Sequence, residues 1–191
     1  MFLKKTAIAV AMFTALLSQA HATLITTDGS WNQFDVDDLT AQSGGVEWIH
    51  INDGTQLNYQ FTIANGFQGK LTVVDAVFAG DTFKVFNGNT LLGTTSPVTA
   101  TNYEQNPLNL GYDFDAALAN SQFSKATYIL TAGTYDIHGM LDQSVLLGGT
   151  PLNSTSGALK VEVAAVPVPS TLLSLISGLA LIGCGIRRRN K

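Results

Sequence analysis

The sequence is short of three kinds of residue, and each shortage excludes a class of site or partner. It has one cysteine, Cys184, inside a hydrophobic C-terminal run, so the remainder can form neither an intramolecular disulfide nor a cysteine metal site. One of its three histidines, His21, lies in an N-terminal segment that we expect to be removed, which excludes a three-histidine zinc site. Stability must therefore come from packing.

Positive charge is the third shortage. Residues 23–165 hold all fourteen acidic side chains and only four lysines, which gives this region a net charge of −10. Such a surface repels phosphate backbones, so we expect no nucleic-acid partner. It suits a solvated exterior or the uptake of divalent cations.

The N-terminus has the pattern of a secretory signal peptide. Lys4 and Lys5 precede an apolar run over 6–17, and the small-x-small site Ala20-His21-Ala22 follows it. The run is too short to span a bilayer, which needs about 20 helical residues. We therefore predict a signal peptide over 1–22, cleaved after Ala22, and an exported chain.

The C-terminus, residues 166–191, has three parts in a fixed order. A proline-containing box comes first, an uncharged run over 171–186 follows, and a cationic end closes the chain. The box is Val166, Pro167, Val168, Pro169 and Ser170, and the cationic residues include Arg187, Arg188 and Arg189. The run predicts a single transmembrane helix with its cationic end in the cytoplasm. Either a plain tail anchor or a processed sorting signal fits this pattern.

The segment VPVPSTLLSLISGLALIGCGIRRRNK resembles the PEP-CTERM class of bacterial sorting signals, closest to the variant that begins Val-Pro-Leu-Pro-Ala. Val168 stands where the commonest form has Glu. The resemblance implies an exosortase-like membrane protease or transpeptidase as partner, cutting near the box. It also implies an inner-membrane-anchored intermediate that moves to the cell surface or to an exopolysaccharide matrix. We interpret Cys184 as a helix-packing residue, with lipidation or an intermolecular bridge as the alternatives.

Residues 23–165 have the pattern of one all-β domain. Apolar residues alternate over 57–63, and we predict a hairpin between this strand and 46–51 across Asn52-Asp53-Gly54. Two further strand pairs are predicted, 82–86 with 90–94 across Asn87-Gly88-Asn89, and 125–130 with 134–138 across Ala132-Gly133.

The remaining elements complete a β-sandwich or jelly-roll-like domain. We predict strands over 71–78 and 159–163, one short helix of two or three turns within 113–123, and a surface loop over 139–157. Seven to nine short strands at roughly ten-residue spacing are typical of such folds. Residues 71–139 also resemble uncharacterised β-sandwich ectodomains that precede such sorting tails, which implies a fold without an activity.

Two acidic pairs are weak candidates for a calcium site. They are Asp35 with Asp37, next to Asp38, and Asp113 with Asp115. Calcium takes six to eight oxygen ligands, and neither pair has the EF-hand spacing. The alternative is a solvated turn for the first pair and a helix start for the second.

Three aromatic residues are candidates for stacking on sugar rings. Trp31, Tyr103 and Tyr112 lie in the less regular segments, whereas Trp48 lies in a predicted strand and is expected in the core. A carbohydrate-binding module, possibly calcium-assisted, is therefore one hypothesis for the domain. A surface or matrix protein without a binding site is the other.

An enzyme is not expected. His138 and Asp136 share one face of a predicted strand, which would suit a base and its orienting carboxylate, but no Gly-x-Ser-x-Gly elbow accompanies them. His50, next to Trp48 in the alternation, is interpreted as a partly buried sheet residue. We predict no catalytic residues and no cofactor.

Overall fold

The computed structural model describes residues 21–167, which form an all-β sandwich-like fold with one short α-helix. The strands are β1 (His21–Leu24), β2 (Asn32–Asp37), β3 (Leu57–Ile63), β4 (Phe67–Phe78), β5 (Thr82–Asn87), β6 (Thr90–Thr94), β7 (Asn109–Gly111), β8 (Lys125–Leu130), β9 (Gly133–Gln143), β10 (Leu146–Leu147), β11 (Thr150–Pro151) and β12 (Ser154–Ala165). A 3₁₀ helix spans Tyr103–Gln105, and α1 spans Phe114–Ala119. The all-β prediction is confirmed.

The strands form two main sheets. One has the order β1-β3-β9-β5-β6, and the other has the order β2-β12-β4-β7, with β8 also pairing with β4. β1 runs parallel to β3 and includes His21 and Ala22, the last two residues of the predicted signal peptide. β10 and β11 form a separate two-stranded hairpin.

The core lies between the two sheets and is centred on an aromatic cluster. The rings of Phe34 and Trp48 stack at 3.8 Å, and Phe83 meets Phe34 edge-on at 5.1 Å. Two glycines make room for the stack, because a Cβ at Gly139 would lie 2.3 Å from Trp48 Cε2 and one at Gly157 would lie 2.4 Å from Phe34 Cζ. The expectation that Trp48 is a core residue is confirmed, since it is fully buried.

The hairpin across residues 87–89 is confirmed, and the strand pair across 132–133 is wrong. β5 pairs with β6 in antiparallel register. In contrast, β8 pairs with β4 in one sheet, while β9 pairs with β3 and β5 in the other. The chain therefore crosses between the sheets after β8, and the Ala-Gly step marks that crossing.

The segment 46–51 does not form the regular strand that was predicted. Ile49 makes isolated bridges with Asp35 of one sheet and with Gln56, and Glu47 bridges to Met140 of the other sheet. This segment connects the two sheets at one side of the sandwich. Trp48 and Ile49 are both buried although they are adjacent, whereas a strand with one buried face would bury only every second residue.

Three other elements differ from their predicted extents. The predicted loop over 139–157 is wrong for most of its length, because β9 continues to Gln143, β10 and β11 form a hairpin, and β12 begins at Ser154. The helix is shorter than predicted, with six residues. The strand over 159–163 is confirmed as part of β12, with Leu159 and Val161 fully buried.

The predicted transmembrane helix over 171–186 lies outside the described residues, as does the signal peptide apart from its last two residues. Within 21–167, no helix has the length and apolar content that a membrane crossing requires.

Candidate functional site

A cleft lined by two exposed tyrosines is the strongest candidate site in the described part of the chain. Tyr103 and Tyr112 are 45% and 60% exposed, and both line a cleft of about 410 Å³. Residues of β2, β4 and β12 line the rest of it, together with Ile51, Leu147 and Leu152. The cleft is thus built from segments far apart in sequence, between Asp35 and Ser156.

Local structure holds Tyr103 at the rim. It opens the 3₁₀ helix, which Asn102 caps by accepting a hydrogen bond from the Glu104 N–H at 3.0 Å. The ring packs edge-on against Phe78 at a centroid distance of 5.0 Å. Phe78 therefore covers part of the Tyr103 ring, and the residue remains 45% exposed.

Tyr112 lies in the turn between β7 and α1. Its ring meets Phe114 edge-on at 6.3 Å. Asp113, next in the chain, is the N-cap of α1 and accepts a hydrogen bond from the Ala116 N–H at 3.0 Å. The helix start therefore fixes the backbone beside the more exposed of the two tyrosines.

Trp31, the third predicted sugar-stacking residue, is not among the residues that line the cleft. Its ring packs against Phe114 at 5.7 Å, and its Nε1 donates a hydrogen bond to Asp115 at 3.1 Å. Lys160 Nζ lies 4.6 Å from the ring centroid, in a cation–π arrangement. Intramolecular contacts therefore occupy the tryptophan, and it supports the Tyr112 side of the cleft through Phe114.

The backbone is strained where β4 enters the cleft. Val77 has a φ of 63°, a value that β-branched residues rarely adopt. The register of β4 against β7 shifts between Val77 and Phe78, and both side chains line the cleft. Strain of this kind costs roughly 1–3 kcal/mol and occurs most often at functional sites.

The floor of the cleft carries the hydroxyls of Ser154 and Ser156 at the start of β12. Ser154 donates to Asp37 at 3.2 Å, and Ser156 donates to Asp35. Thr155 lies on the other face of the strand, opposite the buried Val36, and donates to Asp81 at 2.6 Å. Sequence reasoning missed these hydroxyls, because residues 154–156 were placed in a surface loop.

Asp81, the acceptor of the Thr155 hydroxyl, forms a buried pair of carboxyls with Asp75. It accepts hydrogen bonds from the Thr155 hydroxyl and from the Val145 N–H at 2.7 Å, and burial raises its pKa to about 6. Burial, and then the nearby Asp81 charge, raise the pKa of Asp75 well above its ordinary value. Asp75 Oδ1 has no hydrogen-bond partner among the described residues.

The four acidic metal candidates do not come together as a site. Asp35 lines the cleft, and Asp37 caps a turn by accepting from the Leu39 and Thr40 N–H groups. Asp113 caps α1, and Asp115 binds Trp31 and lies 3.8 Å from Lys160 Nζ. Within 21–167, no group of three or more potential metal ligands is present.

The histidines have structural contacts. His138 Nε2 lies 2.9 Å from the Gly88 carbonyl oxygen, and its ring stacks on Phe86 at 5.2 Å. Asp136 accepts from the Asn58 amide at 3.5 Å, so its contact is with a neighbouring strand. His50 is exposed and lies 3.6 Å from Asp53, which corrects its interpretation as partly buried.

Comparison with known proteins adds a distant structural likeness. No family model matches this chain, and no curated protein matches it. Among solved structures, the chain is similar to the pre-peptidase C-terminal domain of collagenase from Bacillus anthracis. The two have a TM-score of 0.39 and 10% sequence identity, over 75% of this chain and 97% of that one.

Proposed function

We propose that this chain is an exported, non-catalytic protein of the cell surface or exopolysaccharide matrix, and that its β-sandwich domain binds glycans. The observation that supports glycan binding is the cleft with Tyr103 and Tyr112 at its rim. Exposed aromatic rings offer apolar faces to the C–H groups of a sugar, while the hydroxyls and carboxylate beside them suit its polar groups.

The test is binding of the full chain to an oligosaccharide array and to the exopolysaccharide of the producing cell. Tyr112→Ala is expected to weaken binding about tenfold, since an aromatic contact contributes roughly 0.5–1.5 kcal/mol beyond the area it buries. The matched control is Ile129→Ala, because both side chains are 60% exposed and Ile129 lies on β8, outside the cleft. Equal affinity of both variants would refute the proposal and leave a matrix protein without this binding site.

The array also separates two forms of binding. If calcium assists, a chelator should abolish the Tyr112-dependent signal. We expect it to persist with chelator present, because the hydroxyls and the rings form the cleft without a cluster of metal ligands among the described residues.

The route to the surface is a separate part of the proposal. The order of box, apolar run and arginines at the C-terminus supports an exosortase-like partner and a membrane-anchored intermediate. Intact mass of the mature protein from the producing cell tests it. A mass that ends near Pro169 is expected, whereas one that includes Arg189 would indicate a retained anchor.

The non-catalytic part is supported by the contacts of His138 and His50, which lie against the Gly88 carbonyl and Asp53 instead of a serine. Hydrolysis of a bound polysaccharide, lost on His138→Ala, would contradict it.

A further inference from the structure

The hydroxyls of the cleft floor all donate their hydrogen bonds to carboxylates of the protein. Two hydroxyls on one face of β12, those of Ser154 and Ser156, line the cleft, and each donates to a different carboxylate. A hydroxyl has only one proton to donate. Once that proton is directed at a carboxylate, the oxygen can only accept a hydrogen bond from a ligand.

The charge of the cleft also favours a ligand that donates hydrogen bonds. The Asp35 carboxylate lines it, held by Ser156 and by the Gln33 amide at 3.2 Å from each carboxylate oxygen. No side chain that lines the cleft carries a nitrogen, so its side chains provide neither a cationic group nor an amide donor. Apart from the two tyrosine hydroxyls, its polar side chains are therefore all acceptors.

Resting on the proposed glycan binding, we infer that the cleft selects sugars that donate hydrogen bonds and carry no acid group, with amino sugars preferred. A carboxylate or sulfate on the ligand would meet acceptors and Asp35 and would lose its hydration without compensation. A protonated amine would instead form a charge-assisted hydrogen bond with the acceptors of the floor.

The test compares three tetrasaccharides of matched length on the full chain at pH 6, made of glucosamine, N-acetylglucosamine or galacturonic acid. Glucosamine is expected to bind at least about fivefold more tightly than its acetylated form, which is the difference between charge-assisted and neutral hydrogen bonds. Galacturonate is expected to bind weakest. Added salt should reduce the preference for glucosamine.

The net charge of the domain could also favour a cationic ligand, and two variants with the same charge change separate the effects. Asp35→Asn removes a carboxylate of the cleft, and Asp142→Asn removes one that pairs with Lys84 at 2.5 Å on the other sheet. Only Asp35→Asn should bring the affinities for glucosamine and N-acetylglucosamine close together. The ranking by the unaltered chain tests the inference even if Asp35→Asn does not fold.

The outcomes also separate this inference from the proposed function. Tyr112-dependent binding of galacturonate, as tight as that of the other two sugars, would overturn the selectivity and leave glycan binding intact. Equal loss of glucosamine preference in both aspartate variants would overturn it too, because the net charge would then be the cause. Absence of Tyr112-dependent binding to any sugar would overturn both.

Discussion

Asp81 should make the stability of this domain depend on pH in a way that is unusual for a carboxylate. The side chain is 1% exposed, and the cost of burying its charge exceeds the gain from the hydrogen bonds donated by Thr155 and the Val145 N–H. Its pKa is consequently raised from 3.8 to about 6. Folding therefore favours the protonated acid.

The sign of the effect follows from proton uptake. Between pH 4 and pH 6 the folded state holds more protons on Asp81 than the unfolded state, so the free energy of unfolding falls as the pH rises. A carboxyl whose pKa moves from 3.8 to about 6 contributes a loss of about 3 kcal/mol once the pH exceeds both values. Burial and the nearby Asp81 charge also raise the pKa of Asp75, so Asp75 should add to this decline.

Asp81→Asn is the perturbation that isolates this effect. The amide oxygen can accept from the Val145 N–H, and the amide nitrogen can donate to the Thr155 hydroxyl in place of the bond that Asp81 accepts. The two proteins should differ little at pH 4. At pH 7 the variant should be more stable relative to the unaltered chain by up to about 3 kcal/mol.

Urea unfolding followed by tryptophan fluorescence measures this difference, because Trp48 is fully buried in the folded domain. The control is Asp142→Asn, which removes the same charge from an exposed ion pair with Lys84. Its stability should run parallel to that of the unaltered chain across this pH range. If the Asp81→Asn difference is instead constant from pH 4 to pH 7, burial does not raise the pKa of Asp81 and the reasoning is wrong.

Two further predictions concern the backbone. Gly139→Ala should lower the free energy of unfolding by about 1–3 kcal/mol, because the new Cβ would lie 2.3 Å from the packed Trp48 ring. Gly69→Ala should cost less, because its nearest contact would be the terminal methyl of Ile63, the far end of a flexible side chain, and an equal loss in urea unfolding would contradict this. Val77→Gly should be more stable than Val77→Ala by about 1 kcal/mol, since only glycine adopts a φ of 63° without strain. The opposite order in the same assay would show that the valine backbone is not strained.

Local sequence predicted which segments are strands better than it predicted their partners. The hairpin from β5 to β6 is correct because Asn87, Gly88 and Asn89 provide a turn that joins neighbouring strands. Between β8 and β9 the link is equally short, yet the strands enter different sheets. Alternation indicates which face of a strand is buried, but not which strand it pairs with. β8 and β9 therefore satisfy the same pattern in different sheets.

The local pattern was misleading in two other segments. Residues 46–51 were predicted to be a strand because they are rich in β-branched and aromatic residues, but Trp48 and Ile49 are adjacent and both buried, and the segment bridges both sheets instead of pairing along one. The serines and glycines after residue 139 indicated a loop. β12 tolerates them because Gly157 lies against Phe34, where a larger residue would not fit.

The wrong prediction of a loop over 139–157 also concealed part of the candidate site. Tyr103 and Tyr112 were identified from sequence because exposed aromatic residues in irregular segments are informative by themselves. The hydroxyls of the cleft floor were not identified as acceptors, because a hydroxyl can either donate or accept until its partner is known. Ser156 lies 121 residues from Asp35, and no local pattern connects them. The exposed aromatic residues of the proposed site were thus predictable from the sequence, whereas the direction of the hydrogen bonds beside them follows only from the pairing of β12 with β2.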